Sequence, residues 1–259
     1  PQPEQAVIEG ADKLIPEWSD MGEMLHGSTV ATNAVLERKG VKSALLVTEG
    51  FADVLEIQRG DKENVYDLFY QRRKPIIPRN MVYPVTERVT ADGDVLKALE
   101  EDQIRSIAQE LKREDVKSVG ICYLHSYAFA DHEARTKEIL EKELPNAIIT
   151  ASYEILPQFR EYERSSTVAI TSYIAPVMVN YIEKLYGDLK HRNFKGEIFI
   201  TQSNGGIIPM GALRKEVART LLSGPAAGVT GAAFMARQLG IHNIITLDIG
   251  GTSADVCLV

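Results

Sequence analysis

The sequence predicts an α/β fold, and three observations predict it. Short apolar runs that read as strands alternate with stretches whose apolar residues recur at helical spacing, from Ser43 to Thr150. Glycine-bearing turns follow strand-like runs, as in EIFITQ before Ser203-Asn204-Gly205-Gly206 and NIITLDI before Gly250-Gly251. The chain has 259 residues, 44% hydrophobic and 25% charged, which is an ordinary globular balance with length enough for two domains.

The elements follow in order. Val7, Ile8, Ala11, Leu14 and Ile15 place a short helix within residues 3 to 15. Thr29 or Thr32 is positioned to cap a helix carrying Ala34, Val35 and Leu36, and Gly40 suits the residue beyond its end. Ser43 to Thr48 reads as a buried strand, Phe51 to Ile57 as a short helix, and residues 58 to 80 as a long polar loop. Residues 81 to 97 suggest two strands turning at Asp92-Gly93, a strong hairpin dipeptide. Ile104, Ile107, Ala108 and Leu111 share a face, which predicts a helix at 101 to 113. Strand 119 to 124, helix 131 to 143 and strand 147 to 150 complete this part.

From Phe159 the texture changes, and residues 161 to 190 form one long helical tract. Pro176 lacks an N–H and crowds the preceding turn, so a break is expected there. Strand EIFITQ, a helix from Ser223 to about Leu239, and strands ending in DVCLV follow. The expected division is residues 1–155 and 156–259. The first residue is Pro1 and the last residues are ADVCLV, which suggests a fragment of a longer chain.

Charge and composition exclude several classes of function. The formal net charge of -7 argues against a nucleic-acid partner, and the run Arg72-Arg73-Lys74 reads as a solvated loop. No apolar stretch reaches the roughly 18 to 20 residues of a membrane span, and no signal peptide opens the chain. Cys122 and Cys257 lie in apolar runs and read as buried free thiols, which fits the cytoplasm.

The sharpest motif is Asp248-Ile249-Gly250-Gly251-Thr252-Ser253-Ala254-Asp255, with an apolar strand on either side. Adjacent glycines let main-chain N–H groups approach a phosphate with no Cβ in the way. Thr252 and Ser253 add hydroxyl donors, and Asp248 and Asp255 offer the oxygen ligands that Mg²⁺ prefers. A plain Gly-Gly hairpin is the alternative, but it gives no reason for two carboxylates and two hydroxyls at one turn.

Four further motifs carry an alternative each. Ser223-Gly224-Pro225-Ala226-Ala227-Gly228 opens a helix, whose N-terminus favours anions, or else allows close packing. Asn204, Gly205 and Gly206 lie in a loop at a strand's carboxyl end, where open α/β sheets bind ligands, or else make a tight turn. His26 in HGSTVATN is a candidate base, or else a satisfied core histidine beside a helix cap. In FREYER, Arg160 and Arg164 share a face that suits an anion, or else pair with Glu163 and Glu161 at the surface.

Taken together, HGSTVATNAVLERKG, EGFADVLEIQRG, YDLFY, ERV with DGDVL, LHSYAFADHE, FREYERSST, QSNGGI, RTLLSGPAAGV and LDIGGTSADV resemble the hydantoinase A / 5-oxoprolinase family, in that family's order and over nearly the whole chain. The resemblance implies an actin-like, ribonuclease H-like ATPase architecture, incomplete here, with a family-specific amino-terminal α/β domain. It implies ATP with Mg²⁺ (or Mn²⁺) at Asp248, Gly250, Gly251, Thr252 and Asp255, with Ser253, Asn204, Gly205, Gly206, Ser223 and Gly224 also binding the cofactor. It places His26, Thr29, Asn33 and Arg164 in the cleft, with Asp248, Asp255 and His26 as catalytic residues. The implied activity is ATP-dependent opening of a hydantoin, N-methylhydantoin or 5-oxoproline ring, or carboxylation of a ketone such as acetone or acetophenone. A hydantoinase B-type subunit or fused domain is the implied partner, in an oligomer. A non-catalytic actin-like nucleotide-binding module is the alternative. Family members begin with another D-x-G-G-T loop that is not present ahead of Pro1, so the nucleotide site is expected to be incomplete within this chain, and the chain alone inactive.

Overall fold

The computed structural model describes residues 3–60, 62, 65–250 and 252–259, with the side chains of Arg214 and Lys215 left aside. In chain order the elements are α1 (Pro3–Asp12), β1 (Glu23–His26), α2 (Val30–Leu36), β2 (Ser43–Thr48), α3 (Val54–Ile57), β3 (Val82–Val85), β4 (Arg88–Val89), β5 (Val95–Lys97), α4 (Glu101–Arg113) and β6 (Ser118–Cys122). Then come α5 (Asp131–Glu143), β7 (Ile148–Ala151), α6 (Ser152–Ile155), α7 (Glu161–His191), β8 (Glu197–Thr201), β9 (Ile207–Pro209), α8 (Leu213–Glu216), α9 (Ser223–Gln238), β10 (Ile245–Ile249) and β11 (Ala254–Leu258). The class is α/β, as expected.

The chain forms two compact units, Gly40–Pro176 and Pro1–Lys39 with Val177–Val259. The amino-terminal segment therefore groups with the carboxyl-terminal one, because β1 pairs in parallel with β8, from Glu23 opposite Glu197 to His26 opposite Ile200.

Unit Gly40–Pro176 is built on a parallel sheet of order β3-β2-β6-β7. β2 is buried along its whole length, so both faces of the sheet are covered, as parallel sheets require. Leu45, Leu46, Val119, Ile121, Ile104, Leu111 and Leu140 form its core. Gly120 lets α7 approach closely: a Cβ there would stand 2.6 Å from Val168 Cγ1 and 2.9 Å from Ser172 Oγ.

Two sequence expectations are corrected here. The stretch 81 to 97 is not one hairpin: Val82–Val85 joins the parallel sheet beside β2, and only β4 and β5 pair antiparallel around Asp92-Gly93. The apolar Val82 and Val85 are buried in this way, where a free-standing hairpin would leave them wet. Pro176 does not break α7, which runs through it. The carbonyl of Ser172, deprived of its helical partner, accepts the Ser43 hydroxyl at 3.3 Å. The neighbouring Tyr173 carbonyl accepts the Val41 N–H at 3.0 Å. Tertiary donors thus replace the missing backbone bond.

The other unit holds a three-stranded sheet of order β1-β8-β9 and a separate hairpin, β10-β11. Ile182, Leu185, Leu189, Phe194, Ile198 and Ile200 are buried in it. Trp18 meets Phe194 edge-on, and its indole N–H donates to Asp12 at 2.8 Å.

Candidate functional site

The hairpin of β10 and β11 is in register from Ile245 opposite Leu258 to Ile249 opposite Ala254. Asp248 and Asp255 are therefore directly opposite each other. Side chains opposite one another across an antiparallel rung share a face and come close, and like charges so placed repel. One face carries Thr246, Asp248, Asp255 and Cys257, and the other carries Ile245, Leu247, Ile249, Ala254, Val256 and Leu258. Gly250 N–H donates to the Ser253 carbonyl at 2.9 Å, closing the turn. The Ser253 hydroxyl lies 3.1 Å from Asp255 Oδ2, and the Thr252 hydroxyl lies 3.2 Å from Glu37 Oε1. Gly251 lies outside the described residues.

Across from the hairpin stands α9, and between them is a cleft of about 770 Å³. Ser203, Pro225, Ala226, Gly228, Thr246, Asp248 and Asp255 are among the residues lining it. Segments of three separate motifs thus meet on one cavity: the loop after β8, the small-residue start of α9, and the aspartate-bearing hairpin.

The other candidate residues sit around this cavity rather than in its wall. Ser223 is buried, its hydroxyl bonded to the Ser28 carbonyl at 3.2 Å. A Cβ on Gly224 would lie 3.1 Å from Thr29 Cγ2, and one on Gly27 would lie 2.9 Å from Thr201 Oγ1 and 3.6 Å from Gly224 Cα. The glycines allow the backbones of HGST and SGPAAG to touch, which is a packing role. Thr32 takes the Leu222 N–H at 2.9 Å, and Ser28 takes the Val30 N–H at 3.1 Å, so Ser28 satisfies the start of α2, where Thr29 or Thr32 was expected to. Asn33 donates to the Thr29 hydroxyl at 3.3 Å. Asn204 Oδ1 accepts the Gly206 N–H at 2.9 Å, which locks the turn at Gly205.

His26 is buried, with Nε2 2.8 Å from the Tyr181 hydroxyl. Burial pushes its pKa down to about 4, so the ring is neutral at pH 7. It does not line the cleft with the aspartates. Arg164 belongs to the other unit and is buried there, not paired with Glu161 at the surface. Glu163 pairs with Arg59 instead of Arg160. The reason is positional: Arg164 faces the sheet, where Nη2 donates to the Tyr123 carbonyl. Cys122 is buried as expected, while Cys257 is half-exposed on the hairpin.

Sequence reading named Ser203 within its loop motif and missed Thr246 and Glu37. Alternation along β10 from Asp248 would have found Thr246. Nothing in the sequence signals that Glu37 meets Thr252.

The donor set at the hairpin can be tested against Mg²⁺ and a nucleotide. Among the described residues no group of three or more histidine, cysteine or carboxylate side chains forms a metal cage. Two carboxylates on one rung suit a cation that keeps water and phosphate oxygens in its remaining positions. The small residues opposite leave room for a ligand. The residues present fit the group.

Residues 1–144 match the model for the hydantoinase/oxoprolinase N-terminal region, and residues 164–259 match the hydantoinase/oxoprolinase model. The caprolactamase alpha subunit of Pseudomonas jessenii is 34% identical over 242 residues, covering 93% of this chain and 35% of that one. The crystal structure of the ATP-dependent caprolactamase from Pseudomonas jessenii superposes with a TM-score of 0.83 at 33% identity, over 98% of this chain and 38% of that one. A nucleotide-free acetone carboxylase structure gives 0.80 at 31% identity, over 90% and 34%. The chain spans little more than a third of the length of these relatives. Among the described residues no helix is long and apolar enough to cross a membrane.

Proposed function

Because the chain belongs to the hydantoinase/oxoprolinase family, we propose that it supplies the phosphate and metal end of an ATP-dependent enzyme that opens cyclic amides. One observation carries this reading: Asp248 and Asp255 face each other across a rung that borders the cleft under α9.

When bound, ATP with Mg²⁺ would supply a phosphoryl group that turns an amide oxygen into a leaving group. This chain's residues would hold it. Asp248 and Asp255 would bind the cation, and Ser253, hydrogen-bonded to Asp255, would fix that carboxylate's direction. The Gly250 turn and Thr252, bonded to Glu37, would hold the loop's shape. Among the described residues lining the cleft there is no lysine or arginine, so a cation would supply positive charge that those side chains do not.

A lactam or hydantoin substrate is favoured by the family description and the caprolactamase likeness. The acetone carboxylase likeness favours a second reading, ketone activation. Relatives named as subunits support a partner subunit, and the cytoplasm fits two free cysteines.

Calorimetry of Mg-ATP binding, with the whole protein and its Asp248→Asn variant, tests the site. Binding that needs Mg²⁺ and falls at least tenfold in the variant is expected. Equal binding by both would sink it. ATP turnover stimulated by lactams or hydantoins, against acetone with bicarbonate, separates the two substrates.

A further inference from the structure

Unit Gly40–Pro176 carries a buried charge that the nucleotide reading does not use. Arg164, one turn into α7, is 1% exposed. Nη2 donates to the Tyr123 carbonyl, and the guanidinium lies 5.3 Å from the centre of the Tyr127 ring. Nε and Nη1 are buried with no oxygen or nitrogen partner, and the Cys122 thiol beside the guanidinium is only a weak acceptor. A guanidinium kept from water with two nitrogens unsatisfied is costly, and an anion is its usual remedy.

The nearby buried carboxylate is already taken. Glu133 accepts the Tyr123 N–H, the Ser126 hydroxyl and the Ser152 hydroxyl, each at 2.7 Å, and the Tyr153 N–H at 3.1 Å. Burial pushes its pKa up, although these four donors pull it down. A second polar atom is also stranded, His125 Nδ1, whose ring lies 6.1 Å from Tyr127. His125 holds a left-handed backbone, φ 59°, which non-glycine residues adopt at a cost and which recurs where ligands bind.

The place is a usual one for a ligand. Tyr123 follows the carboxyl end of β6 and Ser152 that of its neighbour β7, and open parallel sheets bind ligands beyond such ends. Tyr127 covers Arg164, and Phe159, 68% exposed, meets Tyr127 edge-on at 6.0 Å.

We infer that Arg164 anchors a second binding site, distinct from the aspartate cleft, which takes a small organic monocarboxylate when Tyr127 swings aside. One cation beside a buried glutamate suits a single negative charge, and the aromatic cover suits a short carbon chain rather than a phosphate. The inference does not rest on the nucleotide reading, and its test contains no nucleotide.

Isothermal titration of propionate, propionamide and inorganic phosphate into the whole protein decides it, with Arg164→Lys and Tyr127→Ala beside the wild type. Propionate is expected to bind one to one and propionamide not at all. Arg164→Lys should weaken propionate at least tenfold, because lysine lacks the planar fork. Tyr127→Ala should tighten it several-fold by removing the cover. Tyr127→Ala also keeps the test decisive should Arg164→Lys fail to fold. A folded Tyr127→Ala protein that ignores propionate overturns the site. Undiminished binding by Arg164→Lys overturns the role of the guanidinium, and preference for phosphate overturns the ligand class.

Discussion

β2 and β10 are both strands of mostly apolar sequence, SALLVT and ITLDI, yet they end in opposite environments. β2 lies between β3 and β6 and is buried at every residue. Among the described residues β10 has one partner, β11, and four of its five residues are exposed. The difference teaches that apolar composition sets which residues seek burial, while the number of neighbours sets which attain it. The strand with both flanks paired holds a unit together. The strand with one flank paired leaves its apolar residues exposed.

Substitutions can break or sharpen this comparison. The largest effect is expected from Leu45→Ala, which empties a fully buried place in the parallel sheet. It should cost about 2 to 5 kcal/mol in urea denaturation, by lost transfer energy and the cavity left behind. Leu247→Ala, exposed on β10, should stay within about 0.5 kcal/mol. Equal costs would mean that Leu247 is covered in solution.

Next comes His26, whose pKa falls from 6.5 to about 4 in the fold. The unfolded chain binds the proton first, so His26 favours folding above pH 6.5, and that contribution is lost as pH falls toward 4. The loss should approach about 3 kcal/mol. Thermal midpoints of the His26→Gln protein should lose that slope between those pH values. An unchanged slope would show that other groups produce it.

Smaller effects follow from glycine. Gly120→Ala drives a Cβ into Val168 and Ser172, and about 1 to 3 kcal/mol of destabilisation is expected. Gly231→Ala, in α9, meets nothing within 4 Å. Helix propensity alone then applies, and it should stabilise by about 0.5 to 1 kcal/mol. Chemical denaturation of the pair reads both signs, and a destabilising Gly231→Ala would show that α9 packs closely there.

Much of this was legible in the sequence because its causes are local. The faces of α4 and α5 follow from apolar spacing, and both helices stand at the expected residues, Glu101–Arg113 and Asp131–Glu143. The motif of Asp248 to Asp255 is local too, since one tight turn fixes which residues oppose each other. Pairing between distant segments was not legible. Nothing in Val82–Val85 says that it lies parallel to β2, and nothing at Pro176 says that Ser43 will satisfy the carbonyl of Ser172.

The sequence by itself determined the α/β class, most helices, the family likeness and the carboxylates of the hairpin, since periodicity, turn chemistry and motif order are written along the chain. Only the tertiary structure decided that residues 1–39 group with 177–259, that His26 is a buried neutral ring against Tyr181, and that Arg164 is a stranded charge rather than a surface ion pair. Burial and hydrogen-bond satisfaction depend on which distant segments meet, and no local pattern encodes that.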